Sequence, residues 1–343
     1  MTGQVPAAVS RACAILLGVP ARTAQRLAVG TRTAVYRTGL ADGRSVVVKL
    51  YAATAHRNAI TEGSAFCAVA NRVPVPAVLG CGTLPGHGST ALITADLGPI
   101  TLGSAVRSGQ VRDDRALRDL GGLLGSLHRT PVHVSTPRRP FYEQVSSLGR
   151  RCPPGTLDRI APTLAAIADA SRTAPVWCHG DVHLDNVVIS GPRAVRHMVD
   201  FTDAAVGPRE ADVAQTLVMT DAIASVRAST VTDAYPLALD PRLLSTWAVF
   251  HTVRCWAHSS PGDDRAHLDV PAEVLHLRRK TAGHTAAESD YFLHEPGFLD
   301  HARDYFVGTA RPPVSREVTV MAADTSPDDV AQAAEALVTF WAR

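Results

Sequence analysis

Apolar residues recur at helical spacing through residues 4–18, and Pro20 ends that pattern. Over residues 26–51, RLAVGTRTAVYRTGLADGRSVVVKLY, the pattern changes to strand-like alternation. Gly30 marks a turn, and Asp42-Gly43 between two β-prone runs is a hairpin signal, so three antiparallel strands are expected. Residues 56–72 return to helical spacing, with Ile60, Phe66, Val69 and Ala70 on or near one face, until Pro74 and Pro76. Two further strands are expected near 77–82 and 90–95. After Gly98-Pro99 the character turns helical. Leu117, Leu120, Leu124 and Leu127 predict a helix over 113–129, and another is expected over 155–171. Two short apolar runs, Val187–Ile189 and His197–Val199, flank Ser190-Gly191-Pro192 and predict a hairpin wrapped around polar motifs. Helices dominate from 209 onward, with loops at 260–264 and 311–313. Ser326-Pro327-Asp328-Asp329 has the hydroxyl cap, early proline and first-turn carboxylates that open a last helix.

Composition changes this picture little. The formal net charge is +2 and no Lys/Arg block occurs, which removes the electrostatic footprint of a nucleic-acid partner. The apolar run Ala12–Val19 lacks a basic leader and reads as an amphipathic helix, not a signal peptide. No stretch approaches the ~20 apolar residues of a membrane span, so no membrane partner and a cytoplasmic location are expected. The cysteines, Cys13, Cys67, Cys81, Cys152, Cys178 and Cys255, form no C-x-x-C pair and read as reduced, buried thiols. Lysine occurs only at 49 and 280, and asparagine only at 58, 71 and 186, so Lys49 and Asn186 stand out against an arginine-rich background.

The chemistry concentrates in Trp177-Cys178-His179-Gly180-Asp181-Val182-His183-Leu184-Asp185-Asn186, followed by Val199-Asp200-Phe201-Thr202-Asp203. Phosphoryl transfer needs a carboxylate to take the acceptor's proton, oxygen ligands for a magnesium ion, and a cation on the phosphates. H-x-D-x-x-x-x-N followed by D-F-x has the spacing of a kinase catalytic loop and metal loop. Upstream, Val46-Val47-Val48-Lys49 has the V-x-x-K form of a phosphate-binding strand, and Glu62 lies one turn into the next helix, where it can pair with Lys49. An alternative reading gathers His179, His183, Asp185 and His197 around zinc as a hydrolase centre, but leaves Lys49, Glu62, Asn186 and Asp200 without roles. A nucleotide-binding protein without activity is a third class, disfavoured by the intact Lys49, Asp181, Asn186 and Asp200.

HGDVHLDN and VDFTD resemble the signature of the aminoglycoside phosphotransferase/choline kinase family. The resemblance runs from about Ala21 to the final helix and is weakest after about 255. It implies an α+β, bilobal protein-kinase-like fold: a small antiparallel-sheet lobe over residues 1–98 that binds nucleotide, and a larger, mainly helical lobe over 99–343. It also implies ATP and Mg²⁺ as cofactors, Asp181 as base, and Asn186 and Asp200 as metal ligands. Lys49, oriented by Glu62, would hold the α/β-phosphates, and backbone groups of Thr94 and Asp96 the adenine edge. Asp212 resembles an aspartate that braces the catalytic loop. Asp203 is either a second acidic group near the metal or a cap. The phosphate-covering loop keeps only Gly30 of a glycine-rich pattern, with Thr31 and Thr33 as further phosphate contacts. Asp185 replaces a small residue, and Thr202 replaces glycine after Phe201.

The interval from Asp200 to Asp212 is too short for the activation segment of a protein kinase, so a small hydroxylated acceptor is expected and no protein substrate. The region after Asp203 holds Trp247, Phe250, His251, Trp256, His258, Tyr291, Phe292 and Tyr305 but no dense acidic cluster. This favours a neutral or weakly charged antibiotic (nucleoside, macrolide or other glycosylated compound) over a polycation. A metabolic acceptor such as choline, homoserine or a sugar-like compound is the alternative.

Overall fold

The computed structural model describes residues 5–29, 33–85, 88–132, 141–149, 161–170, 175–220, 222 and 227–258. Gly30, Thr31 and the features expected at 260–264, at 311–313 and from 326 lie outside them, as do Tyr291, Phe292, Tyr305 and the side chains of Trp256 and His258. The fold is α+β, with a small N-terminal antiparallel-sheet lobe and a larger, mainly helical C-terminal lobe, as the pattern predicts. By contact the chain groups into two units. One joins Met1–Asp119 to His179–Ala204, and the other joins Leu120–Cys178 to the region from Ala205.

In the first unit, strands β1 (Ala21–Val29), β2 (Thr33–Leu40), β3 (Ser45–Tyr51), β4 (Val78–Thr83) and β5 (Thr90–Ala95) form one sheet in the order β1-β2-β3-β5-β4. Gly43 closes the β2–β3 hairpin at φ +85°, a conformation open to glycine without steric cost. The period of two along β3 sends its residues to opposite faces. Val46 and Val48 join Leu40, Leu84, Ala91 and Ile93 in a core covered by Val9, Ala12 and Cys13 of helix α1 (Ala7–Leu17). Each of the valine, leucine and isoleucine side chains contributes about 1.5–3 kcal/mol on full burial. Lys49 and Tyr51 face the other way.

Helix α2 (His56–Val69) buries Ala59, Glu62, Gly63, Phe66 and Val69, a 3–4 residue repeat. The expected stripe is corrected here. Phe66 and Val69 are inside, but Ile60 is 53% exposed and Ala70 is exposed, because Glu62 and Gly63 hold the inward positions. The thiol expectation also needs amendment: Cys13 and Cys178 are buried, while Cys67 and Cys81 are exposed, all four free.

The hairpin of β7 (Val187–Ser190) and β8 (Val195–Met198) belongs to the first unit through long-range backbone bonds. Ile189 N–H donates to Ile100 O at 2.9 Å and Met198 N–H to Pro74 O at 2.9 Å. The short strands that flank the segment in sequence, β6 (Val176–Cys178) and β9 (Ala205–Gly207), pair with each other in the second unit.

The second unit is helical. The leucine stripe of α4 (Asp113–His128) is buried throughout at Leu117, Leu120, Leu124 and Leu127; α3 (Leu102–Arg107) precedes it in the first unit. Helices α5 (Phe141–Gly149), α6 (Ala161–Ala170), α7 (Arg209–Met219), α8 (Arg227–Ala234) and α9 (Pro241–His258) follow. Trp247, Phe250 and His251 are buried in α9, with Trp247 and Phe250 edge-on at 5.4 Å. No helix among the described residues is long and apolar enough to cross a membrane.

Glycines set the approach to α4. A Cβ on Gly125 would lie 2.1 Å from Pro236 Cδ, whereas one on Gly122 meets nothing within 4 Å. Gly125→Ala should therefore destabilise the protein by about 1–3 kcal/mol through overpacking. Gly122→Ala should stabilise it by up to about 1 kcal/mol through helix propensity. Urea midpoints compared at constant m-value check both signs.

Candidate active site

Lys49 is the centre of a polar cluster contained in the first unit. Its ammonium lies 3.0 Å from Glu62 Oε2, 2.5 Å from Asp200 Oδ1 and 2.7 Å from Thr202 Oγ1. The Tyr51 hydroxyl donates to Glu62 Oε2, and the Tyr51 ring centroid lies 5.5 Å from the ammonium. Burial depresses the Lys49 pKa, but the charges of Asp200 and Glu62 outweigh it, and the net shift is upward. Glu62 is raised, because desolvation exceeds the pull of Lys49. Asp200 is also desolvated, yet Lys49 and the Thr202 hydroxyl hold it at about 2. Asp200 adopts φ 61°, ψ 61°, a left-handed conformation costing a non-glycine residue about 1–2 kcal/mol. Its Oδ2 has no partner among the described residues.

Asp181 follows Gly180, whose φ is +79°. A Cβ at Gly180 would sit 2.5 Å from Asp203 O, so glycine alone allows both the turn and the close approach. His179 is fully buried. Its Nδ1 accepts from Asp181 N–H at 3.3 Å, which leaves Nε2–H to donate to Val199 O at 2.9 Å. Asn186 Nδ2 donates to Asp181 O at 2.8 Å and Oδ2 at 3.3 Å, leaving its amide oxygen for a cation. Desolvation raises the Asp181 pKa, His183 opposes it, and the charges of Asp203 and Asp200 add to it. Two neighbouring carboxylates are thus driven in opposite directions by their surroundings.

The sequence profile of the phosphotransferase enzyme family matches residues 23–244. The chain belongs to that family. Solved structures share the fold. The aminoglycoside 2'-phosphotransferase-IIIa in its GDP complex is 15% identical with a TM-score of 0.58, over 83% of this chain and 97% of that one. Choline kinase LicA from Streptococcus pneumoniae is 11% identical with a TM-score of 0.59, over 82% and 97%. Macrolide 2'-phosphotransferase MphH from Brachybacterium faecium is 15% identical with a TM-score of 0.52, over 89% and 99%. At these identities the likeness concerns the fold alone.

In this phosphotransferase, Lys49 meets Glu62 and Asp200 directly, Asn186 bonds Asp181, and the charges of Asp200 and Asp203 reach the Asp181 carboxyl. Thr94 is a buried ladder residue between β3 and β4. The Asp96 side chain is occupied structurally, accepting from Arg37 Nε at 2.9 Å, Ser45 Oγ at 2.7 Å and Gly98 N–H at 3.0 Å. Thr33 opens β2 opposite Tyr51.

Asp185 acts as a clamp. Arg107 donates to both its oxygens at 2.9 and 3.0 Å, and Thr101 Oγ1 donates at 2.7 Å while capping α3. Asp185 is therefore spent, and His179, His183, Asp185 and His197 do not assemble as a zinc site. The set of three metal-capable side chains found among the described residues is His128, Cys178 and Asp212, buried in the second unit. His128 Nε2 meets Asp212 Oδ2 at 3.2 Å, His128 Nδ1 meets the Tyr235 hydroxyl at 2.6 Å, and the Cys178 thiol, pushed up by burial, donates to Pro208 O at 3.5 Å.

Sequence reading missed Tyr51 and the part played by Thr202. Tyr51 was legible as the residue two beyond Lys49, on the same face of β3. Thr202 had only its place after Asp-Phe.

The Asp200 shift fixes an acid signature. Asp200 stabilises the native state above its unfolded pKa, near 3.8, and that contribution disappears as pH falls towards about 2. Asp181 and Glu62, shifted upward, act oppositely at higher pH. In urea titrations without nucleotide, the wild type should lose more stability from about pH 4 to about pH 2 than Asp200→Asn. The difference should be modest, because the Asp200 side chain is 44% exposed.

Proposed function

We propose that this phosphotransferase moves the γ-phosphoryl group of ATP to a hydroxyl of a small molecule. The supporting observation is the juxtaposition of a raised carboxyl at Asp181 with an ionised carboxylate at Asp200 held by Lys49. The acceptor oxygen forms a bond to the γ-phosphorus as the bridging oxygen–phosphorus bond breaks. ADP leaves, and the hydroxyl proton passes to the Asp181 carboxylate. Lys49, oriented by Glu62, binds the α/β-phosphates. Asp200 Oδ2 and the Asn186 amide oxygen, with Asp203 beside them, are hard oxygens that suit Mg²⁺, which when bound neutralises charge on the phosphates. Nucleotide binding is assigned to residues 1–98, with phosphate contacts from Gly30, Thr31 and Thr33 and adenine contacts from the backbone at Thr94 and Asp96. The acceptor is assigned to the helical region after Asp203.

The chain between Asp200 and α7 holds only a short turn and β9, with no room for an activation segment, which favours a small acceptor over a protein. The weak net charge and lack of a dense acidic cluster favour a neutral antibiotic, a nucleoside, macrolide or other glycosylated compound, with resistance or self-protection as the role. The fold is shared with a macrolide phosphotransferase and with a choline kinase, so a metabolic acceptor is the second reading. The cytoplasm, where ATP is abundant, is the location that fits.

An acceptor screen reading ADP release across antibiotics and metabolites tests the proposal. Release with an antibiotic hydroxyl supports the first reading, and release with choline, homoserine or a sugar supports the second. Asp181→Ala should reduce kcat by about 10²- to 10⁴-fold while nucleotide binding persists. Residual turnover near wild type would remove Asp181 as the base. ATP-independent hydrolysis by zinc-loaded protein would overturn the kinase reading.

A further inference from the structure

Thr202 is the group in the Lys49 cluster whose hydrogen-bonding capacity is oversubscribed. A hydroxyl has one proton to give and two lone pairs to receive. Thr202 Oγ1 receives from Lys49 Nζ at 2.7 Å, because an ammonium can only donate. Its single proton then has two carboxylate claimants: Asp200 Oδ1 at 2.6 Å and Glu62 Oε2 at 3.2 Å. The shorter contact has the length of a charge-assisted bond, so the proton belongs to Asp200 in this arrangement. Glu62 Oε2 does not suffer for it, since the Tyr51 hydroxyl donates there.

We propose that Thr202 is a positioning residue for phosphoryl transfer. Its hydroxyl holds Asp200 Oδ1 and Lys49 Nζ in register, so that Asp200 presents Oδ2 to a cation and Lys49 keeps its place beside Glu62. The inference rests on the nucleotide reading above and deepens it.

Two features make this more than packing. Asp200 and Lys49 are 2.5 Å apart, a pairing that competes with the use of Asp200 as a cation ligand and of Lys49 on phosphates. A third group bonded to both at once keeps each oriented when that pairing loosens. The Thr202 proton also has a second place to go: rotation of the hydroxyl about its C–O bond redirects it to Glu62 Oε2, already within reach. Glycine at this position, the residue that the resemblance would lead one to expect, supplies no such donor. The strained backbone at Asp200, two residues earlier, is the other half of the device, since it fixes the direction in which the carboxylate leaves the chain.

The test compares Thr202→Val, Thr202→Ser and wild type, with Thr202→Ala in place of the valine variant should that one fail to fold. Calorimetry measures ATP affinity in Mg²⁺ and in EDTA, and steady-state kinetics separates kcat from KM. Loss of a hydrogen bond to charged groups should weaken Mg²⁺–ATP binding by about tenfold and lower kcat by a similar or larger factor. Binding of ATP in EDTA should change by less than about threefold, and Thr202→Ser should restore most of the loss. The proposal is overturned if the hydroxyl-free variant matches wild type within twofold in Mg²⁺–ATP affinity and kcat. It is equally overturned if serine is as impaired as valine, or if the loss is the same with and without metal. Wild-type protein that fails to bind Mg²⁺–ATP at all overturns the nucleotide reading itself, a different failure from an inert Thr202.

Discussion

The arrangement depends on one buried cation set between two carboxylates. Lys49 is 12% exposed at its side chain and Glu62 only 2%, and neither charge is tolerable there alone. Desolvation pushes both towards neutrality. Lys49 and Glu62 compensate each other, and Asp200, arriving from a segment about 150 positions later in the chain, adds a second anion that holds Lys49 charged and ties the 179–204 segment to the sheet energetically as well as through the backbone. Removing Lys49 would leave two buried carboxylates facing one another uncompensated, so the cluster is a constraint on the whole first unit. It dictates why α2 turns a glutamate inward, why β3 carries a lysine at a position that alternation reserves for neither core nor open solvent, and why Asp200 accepts a left-handed backbone.

That constraint also explains which parts of the fold were legible in the sequence. Alternation in β3 was readable because Val46 and Val48 bury themselves on the α1 side while Lys49 and Tyr51 lie opposite. The leucine stripe of α4 was readable because nothing but packing acts on it. Periodicity misjudged α2 at Ile60, because a hydrophobic-stripe argument assumes that the inward face is apolar, and here Glu62 and Gly63 occupy it. The association of the β7–β8 hairpin with the first unit was hidden for a different reason. It rests on backbone bonds to Ile100 and Pro74 and on Arg196 Nε donating to Asp119 Oδ2 at 2.8 Å, partners far away in sequence that no local pattern announces.

The candidate site was legible in proportion to how far each residue depends on side-chain chemistry. Asp181, Asn186, Asp200 and Lys49 sit at the spacings of a kinase-like motif, so the string itself points to them. Tyr51 and Thr202 act through geometry, as donors whose value lies in what they touch. Asp185 was visible as an oddity without a meaning until Arg107 and Thr101 closed on it from α3. Its carboxylate lies so close that a Cβ on Gly103 would be 2.4 Å from Oδ1, so aspartate at 185 demands glycine about eighty positions earlier.

The first and second units each bury a knot of titratable side chains, and the contrast between them separates a site from a scaffold. In the second unit, both nitrogens of His128 are bonded, to Asp212 and Tyr235, the Cys178 thiol, its pKa pushed up by burial, donates to carbonyls, and the backbone there shows no positive-φ residue among the described residues. That network has the valences of a settled structure, and a metal entering it would have to break bonds already made. In the first unit, Asp200 Oδ2 is left over, the Asn186 amide oxygen is left over, and the Asp181 carboxyl is held away from its ordinary protonation with its side chain 35% exposed. Strain and unspent oxygen valence coincide there. Folding tolerates such a cluster only at a cost in stability, and the phosphoryl transfer proposed above is a chemistry that would use it.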